Sequence, residues 1–242
     1  MNSATVTVLW VTSLLMILCT LVFTYRSFRA RTEIKHFYYL TALITLIAAT
    51  LYMTMASGYG GIGLNGKVIL FGRYIDWVIT TPLLLMNLAL IALPRNFPSR
   101  LAVIGTMIAA DVYMIVSGLG ASLIRSNFRW AFFAVSCAGF LAVLYFIVVK
   151  LTPEANVRSG PVQRHYSTLA IMLIALWVCY PIVWILGTEG FGVISLLPEV
   201  ILYAILDILA KGAFGFVLLS KPGVLLEAER ETAPINSVAA QW

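Results

Sequence analysis

Apolar residues run in long blocks separated by short polar breaks, and seven blocks are long enough to matter: 5–27, 36–57, 69–93, 101–122, 130–151, 166–187 and 194–220. About 20 residues of helix cross the roughly 30 Å of hydrocarbon in a bilayer, so each block is predicted to be a transmembrane helix. Seven crossings place the two termini on opposite sides. The breaks carry most of the charge, Gly and Pro, and leave no room for a second folded domain or a soluble catalytic insert. The expected fold is an all-α membrane protein: a seven-helix bundle over 1–221, then a polar cytoplasmic tail over 222–242. That tail holds Glu227, Glu229, Arg230 and Glu231 and is expected to be loosely ordered. Between the second and third blocks, the stretch from Ser57 to Lys67 is rich in glycine and contains Asn65-Gly66, a pair that favours hairpin turns, so a small β-ribbon is predicted there.

Composition agrees with the pattern: of 242 residues, 61% are hydrophobic and 11% charged, where soluble domains carry roughly a quarter charged residues. Charge then sets orientation. Arg26, Arg29, Arg31, Lys35, Arg95, Arg100, Lys150, Arg158, Arg164, Lys221 and Arg230 fall on one side, and only Lys67, Arg125 and Arg129 on the other. The positive-inside rule puts the N-terminus outside and the C-terminus in the cytoplasm. No Lys or Arg precedes Arg26, so the first block reads as a retained helix rather than a cleaved signal. The net charge of +6 is accounted for by loops beside anionic lipid headgroups, and no nucleic-acid motif accompanies it. Cys19, Cys137 and Cys179 lie in apolar blocks without metal-ligand spacing; they are expected to be small buried hydrophobes, with no metal site and no disulfide.

The candidate chemistry is inside the membrane. All three aspartates, Asp76, Asp111 and Asp207, lie in apolar blocks together with Arg73 and Lys211, where ionisable groups are costly and functional by default. Lys211 and Asp207 are four apart on the seventh helix and share a face; Arg73, Asp76 and Thr80 share a face of the third. Two cations and two carboxylates sum to zero, the condition under which buried charges survive. One reading is a quartet that only glues helices. The other is a reactive lysine in a slot, because Trp177, Tyr180 and Trp184 recur at three and four residues and, with Trp77, can wall a flat apolar space ending at the Lys211 amine. A lysine in a dry aromatic slot is suited to form a Schiff base.

These residues carry a resemblance. Arg73 to Leu83 (RYIDWVITTPL), Trp177 to Trp184 (WVCYPIVW) and Leu206 to Lys211 (LDILAK) resemble the third, sixth and seventh helices of microbial rhodopsins, most of all the bacteriorhodopsin branch, and the likeness extends over all seven blocks. It implies all-trans retinal bound covalently to Lys211 as a protonated Schiff base, isomerising to 13-cis in light and passing a proton to the counterion Asp76. It further implies Asp207 as second counterion, Thr80 hydrogen-bonded to Asp76, Arg73 coupling both aspartates to the exit, and Tyr52 and Tyr180 on Asp207. Trp77 and Trp177 match the residues that sandwich the polyene. Leu84, Met114, Gly118, Ser136, Phe140, Pro181 and Trp184 match pocket positions, Phe140 standing where Met is commoner. Asp111 matches a protonated aspartate hydrogen-bonded to Thr81, a structural role. Glu189 and Glu199 match an extracellular pair that stores and releases a proton through water; two solvated loop acids is the alternative. Membrane lipid and protons are the implied partners, and a homotrimer is an assembly found among relatives.

One position departs from the pattern. Bacteriorhodopsin has an aspartate eleven residues after the counterion, about 16 Å further in, as cytoplasmic proton donor; here the residue is Asn87. An amide cannot deliver a proton, so reprotonation is expected to be slow and speeded by acid, with Thr41 hydrogen-bonded to Asn87 closing that half. The function read from this is a light-driven outward proton pump. The alternatives are a sensor acting through a separate transducer, since sensory relatives also lack the donor, and a light-gated channel. Ala210 stands against the sensor, because phoborhodopsin-type sensors carry Thr before the lysine. A chloride pump needs a neutral residue at Asp76, and proteorhodopsin-like pumps pair the counterion with a histidine, whereas His36 and His165 both lie at membrane edges. No hydrolytic or phosphoryl-transfer motif argues for an enzyme.

Overall fold

In lipid every backbone N–H and C=O must be satisfied within the chain, which is why each apolar block closes on itself as a helix. The computed structural model describes residues 1–64, 67–124 and 126–231; Asn65-Gly66, Arg125 and the tail from 232 lie outside the described residues. Its elements are α1 (Ser3–Arg29), α2 (Thr32–Ala56), β1 (Ile62–Leu64), β2 (Lys67–Ile69), α3 (Gly72–Ala92), α4 (Arg100–Leu123), α5 (Arg129–Asn156), α6 (Gly160–Leu186), α7 (Leu196–Leu218) and α8 (Pro222–Arg230). The seven long helices are each apolar and long enough to cross a membrane. Strands β1 and β2 form the predicted antiparallel ribbon, with Ile62 opposite Ile69 and Leu64 opposite Lys67. The ribbon marks one face of the bundle and α8 the other, here the ribbon face and the tail face.

Two helices form the middle. In the most apolar stretch of α3, 61% of residues are buried, and in α7 56%, against 17% in α5. The burial is of polar groups as much as apolar ones: Arg73, Asp76, Thr80 and Asn87 on α3 and Asp207 and Lys211 on α7 are all enclosed. Leu14, Leu18 and Leu21 on α1, Leu141 on α5 and Ile171 on α6 point outward, giving the apolar exterior that lipid requires.

Two expectations are corrected. The tail is a helix over Pro222–Arg230, not a loose segment: Leu225 and Ala228 are buried on one face, and a row of ion pairs anchors it. Glu229 meets Arg95 at 2.7 Å and His36 at 3.2 Å, and Arg230 meets Glu33 at 3.1 Å. Just past its end, Glu231 meets Arg158 at 2.7 Å. The charged residues that made the tail look soluble are the ones that tie it down. The three cysteines are half-buried free thiols rather than core residues.

Candidate functional site

Lys211 sits where α7 winds as a π-helix over Ile208–Ala213, one turn beyond Asp207. Such segments often mark functional positions. Its amine meets Asp76 Oδ2 on α3 and lies 3.1 Å from Asp207 Oδ1. Asp207 is held from three sides: Tyr52 OH on α2 donates to Oδ2 at 2.7 Å, and Tyr180 OH on α6 and Trp77 Nε1 on α3 donate to Oδ1 at 2.7 and 3.2 Å. Besides Lys211, Asp76 receives the Thr80 hydroxyl alone, and at 3.3 Å, because that hydroxyl donates more closely to the Asp76 backbone carbonyl at 2.8 Å. Of the two carboxylates, Asp76 has accepting capacity to spare.

Arg73 does not join them. The neutral quartet expected from spacing is replaced by two groups, because Arg73 lies one turn toward the ribbon face and its long side chain extends outward. Its Nη2 meets Glu199 Oε1 at 2.7 Å and Glu189 Oε1 at 3.6 Å, and the guanidinium lies 4.4 Å from the centre of the Tyr203 ring. Glu189 and Glu199 are both buried and so are not solvated loop acids. Glu199 also takes the Thr188 backbone N–H and hydroxyl at 2.6 and 2.7 Å. One cation beside two buried carboxylates leaves an excess negative charge, which favours a proton on Glu189. Burial, with the Glu199 charge adding, outweighs Arg73 and the Tyr74 hydroxyl and pushes the Glu189 carboxyl up to about 7.

Tyr74 links this outer group to the interior: its hydroxyl donates to Glu189 Oε2 at 2.6 Å and accepts from Trp184 Nε1 at 3.0 Å. Because that hydroxyl stabilises the Glu189 anion, Tyr74→Phe should raise the pH at which Glu189 loses its proton, by about one unit. Infrared titration of the carboxyl band would measure this, and an unchanged or lowered midpoint would refute the link.

Behind Lys211 lies an apolar cavity of about 770 Å³, its mouth included. Every residue assigned to a pocket by resemblance lines it: Trp77, Thr81 and Leu84 from α3; Met114 and Gly118 from α4; Ser136 and Phe140 from α5; Trp177, Pro181 and Trp184 from α6. Gly118 allows α4 and α5 to approach, since a Cβ there would stand 3.2 Å from Ser136 Oγ. The Thr81 hydroxyl donates to Asp111 Oδ2 at 2.6 Å and lies 2.7 Å from Trp77 O, so the pairing of Thr81 with Asp111 links α3 to α4.

Sequence reasoning missed other wall residues. Phe133 stacks on Trp184 with ring centres 4.3 Å apart, Tyr203 lies on α7 one turn outside Asp207, and Ile115 and Cys137 complete the α4 and α5 sides. Phe133, Ser136, Cys137 and Phe140 repeat at helical spacing, the signal that could have found two of them.

On the tail side the expected Thr41 to Asn87 hydrogen bond is absent. The Thr41 hydroxyl donates instead to Phe37 O, one turn back on its own helix, at 2.7 Å. Asn87 is fully buried with neither its amide nitrogen nor its oxygen partnered, an arrangement that costs about 1–3 kcal/mol per group unless water meets it.

Comparison with known proteins covers nearly the whole chain. The family model described as bacteriorhodopsin-like protein matches residues 3–222. A bacteriorhodopsin of Haloterrigena sp. (strain arg-4) is 40% identical over 93% of this chain and 91% of its own length. Among solved structures, thermophilic rhodopsin from Rubrobacter xylanophilus superposes with a TM-score of 0.89 at 44% identity, covering 93% of this chain and 98% of the other. A light-driven proton pump from Leptosphaeria maculans gives 0.86 at 30% identity, with 95% and 98% covered. A halorhodopsin described as a light-driven chloride pump gives 0.85 at 32% identity, with 94% and 98% covered.

Proposed function

The chain belongs to the bacteriorhodopsin-like family of microbial rhodopsins, multi-pass membrane proteins with a retinal chromophore attached through a Schiff base, and from that premise we propose that it is a light-driven outward proton pump that reloads slowly. The observation that carries the reading is the Lys211 amine seated on Asp76, with an Arg73, Glu189 and Glu199 cluster between that pair and the ribbon face.

The cavity suits the group: long, apolar and aromatic, with one amine at its end and two carboxylates beside it to balance a charged nitrogen. Lys211 is the attachment point in this reading, all-trans the dark isomer, and the protonated nitrogen the dark form. Retinal held there would supply light absorption and the isomerisation that turns the Lys211 nitrogen.

The protein's residues do the rest. Trp77 and Trp177 fix the plane of the slot, and Leu84, Met114 and Phe140 keep water out of it. Asp76 takes the proton from the Lys211 nitrogen, while Asp207 stays anionic under its three donors. With Asp76 neutral, Arg73 loses its attraction toward the interior and shifts toward Glu189 and Glu199, which makes the proton on Glu189 easier to release. Direction follows from the Lys and Arg asymmetry, which places the ribbon face outside.

Reloading passes Asn87, which has no proton to give. Asn87→Asp should therefore speed recovery of the dark absorbance after a flash by at least about tenfold and weaken its dependence on acid, within the range that a placed proton donor contributes. Flash spectroscopy in lipid would show it, and no acceleration would sink the assignment of this position. The second reading, a photosensor, is favoured by Asn87, since slow recovery suits a receptor; Ala210 before the lysine argues against it. The chloride-pump reading suggested by the halorhodopsin likeness is opposed by the acidic Asp76.

A further inference from the structure

The tail half of the bundle lacks a carboxyl group at Asn87, yet it encloses an imidazole, a side chain that can carry a proton. His165 on α6 is buried, and its Nε2 lies 3.0 Å from the carbonyl oxygen of Leu218, the last residue of α7. We propose that His165 is the proton-holding residue of the tail half, passing a proton to the Lys211 nitrogen through water held at the Asn87 amide; this rests on the pump reading above.

Depth supports it. His165 lies five residues inside the start of α6 at Gly160, and Asn87 five residues before the end of α3 at Ala92, so each is about 7.5 Å along its own helix from that helix's tail-side end. Leu218, which the His165 ring meets, is seven residues beyond Lys211, roughly 10 Å along α7. The histidine and the unpartnered amide thus both lie on the tail side of the nitrogen. Asn87 cannot titrate, but its free N–H and C=O can hold water. The surrounding core is mostly apolar, Leu88, Leu169, Leu173 and Phe214 among it, and also holds the phenols Tyr38 and Tyr166.

Charge supports it as well. The last carbonyls of a helix lack partners within the helix, and its C-terminus is the negative end of the helix dipole, which favours an imidazolium. At this end of α7 the Leu218 carbonyl faces His165, and the next one, Leu219, takes Arg26 of α1 at 2.8 Å. The charged and titratable groups on the elements around this end are Lys221 after α7, Arg26 and Arg29 on α1, Arg164 and Tyr166 on α6 itself, Lys150 and Glu154 on α5, Arg158 between α5 and α6, and Glu227, Glu229 and Arg230 on α8 with Glu231 after it. Among the described residues, Glu154, two residues from the end of α5, and Glu229, committed to Arg95 and His36, are the two buried carboxylates near this end. The step balances: the imidazolium gives a proton to water, water gives one to the Lys211 nitrogen, and the neutral imidazole is recharged from water at the tail face.

His165→Gln and His165→Asn both remove the titrating ring, and Gln, whose amide nitrogen falls near the Nε2 position, can still donate to Leu218 O, so it separates this role from simple capping of α7. In pigmented protein in lipid, both variants should slow dark recovery about tenfold or more near neutral pH. Their rates should rise in proportion to acid, whereas the wild-type rate levels off once His165 is protonated, and added imidazole should restore speed. Variants whose rate and pH profile match the wild type overturn the inference. So does normal recovery in His165→Gln with slow recovery in His165→Phe, which would assign the residue to capping alone. Light-driven proton uptake by vesicles of the wild type tests the underlying reading separately: no net transport there means the pump reading has failed, while transport with unchanged variant kinetics means only this inference has.

Discussion

Membranes carrying Lys211→Ala and supplied with retinal are expected to form no covalent pigment at all. Lys211 brings an amine to the wall of the cavity, and the neighbouring cation, Arg73, is turned away toward Glu189 and Glu199. Alanine also leaves Asp76 and Asp207 buried without their cation, a loss that on its own destabilises by about 3–5 kcal/mol. Lys211→Arg keeps the charge and is the better folded control; it too should stay colourless, because a guanidinium that never loses its proton does not condense with an aldehyde. Absorbance after incubation with retinal measures both, and a stable coloured pigment in either would remove Lys211 from its role.

Asp76→Asn should leave a pigment that moves essentially no protons. Asparagine has nearly the same shape and still receives the Thr80 hydroxyl, but it cannot take a proton from the Lys211 nitrogen. Asp207 is a poor substitute because Tyr52, Tyr180 and Trp77 already occupy its oxygens. The loss in transport per pigment should be about a hundredfold or more, the scale set by removing a positioned base. Light-induced flux in vesicles, normalised to absorbance, gives the number. If Asp76→Asn pumps normally and Asp207→Asn does not, the two roles are exchanged.

How much of this could be read beforehand depended on whether it was local. The seven spans, the ribbon, and the pairing of Lys211 with Asp207 follow from spacing along single elements, and the sequence showed them. The pocket positions were legible through the resemblance, and the cavity gathers all of them. Partners chosen across elements were not legible. Arg73 shares a helix face with Asp76, but its side chain is long enough to reach Glu199 on α7 and Glu189 beyond α6, and spacing on α3 carries no information about either. Thr41 was expected to bond Asn87, yet threonine in a helix can satisfy itself on the carbonyl one turn back, and it does. The π-winding at Lys211 and the docking of α8 on Arg95, Arg158 and His36 likewise depend on surroundings the local pattern does not contain. Glu189 and Glu199 were legible as a pair only through the resemblance, with solvated loop acids as the alternative; their burial against Arg73 is again a matter of contacts across elements.

The most direct test is the pH of an unbuffered suspension of retinal-supplied, visibly pigmented cells under visible light, with and without a protonophore. Acidification of the medium that the protonophore abolishes is the expected result, and it would mean that Asp76 and the outer glutamates drive protons outward despite Asn87. No light-dependent change from pigmented cells, or alkalinisation, would contradict the pump.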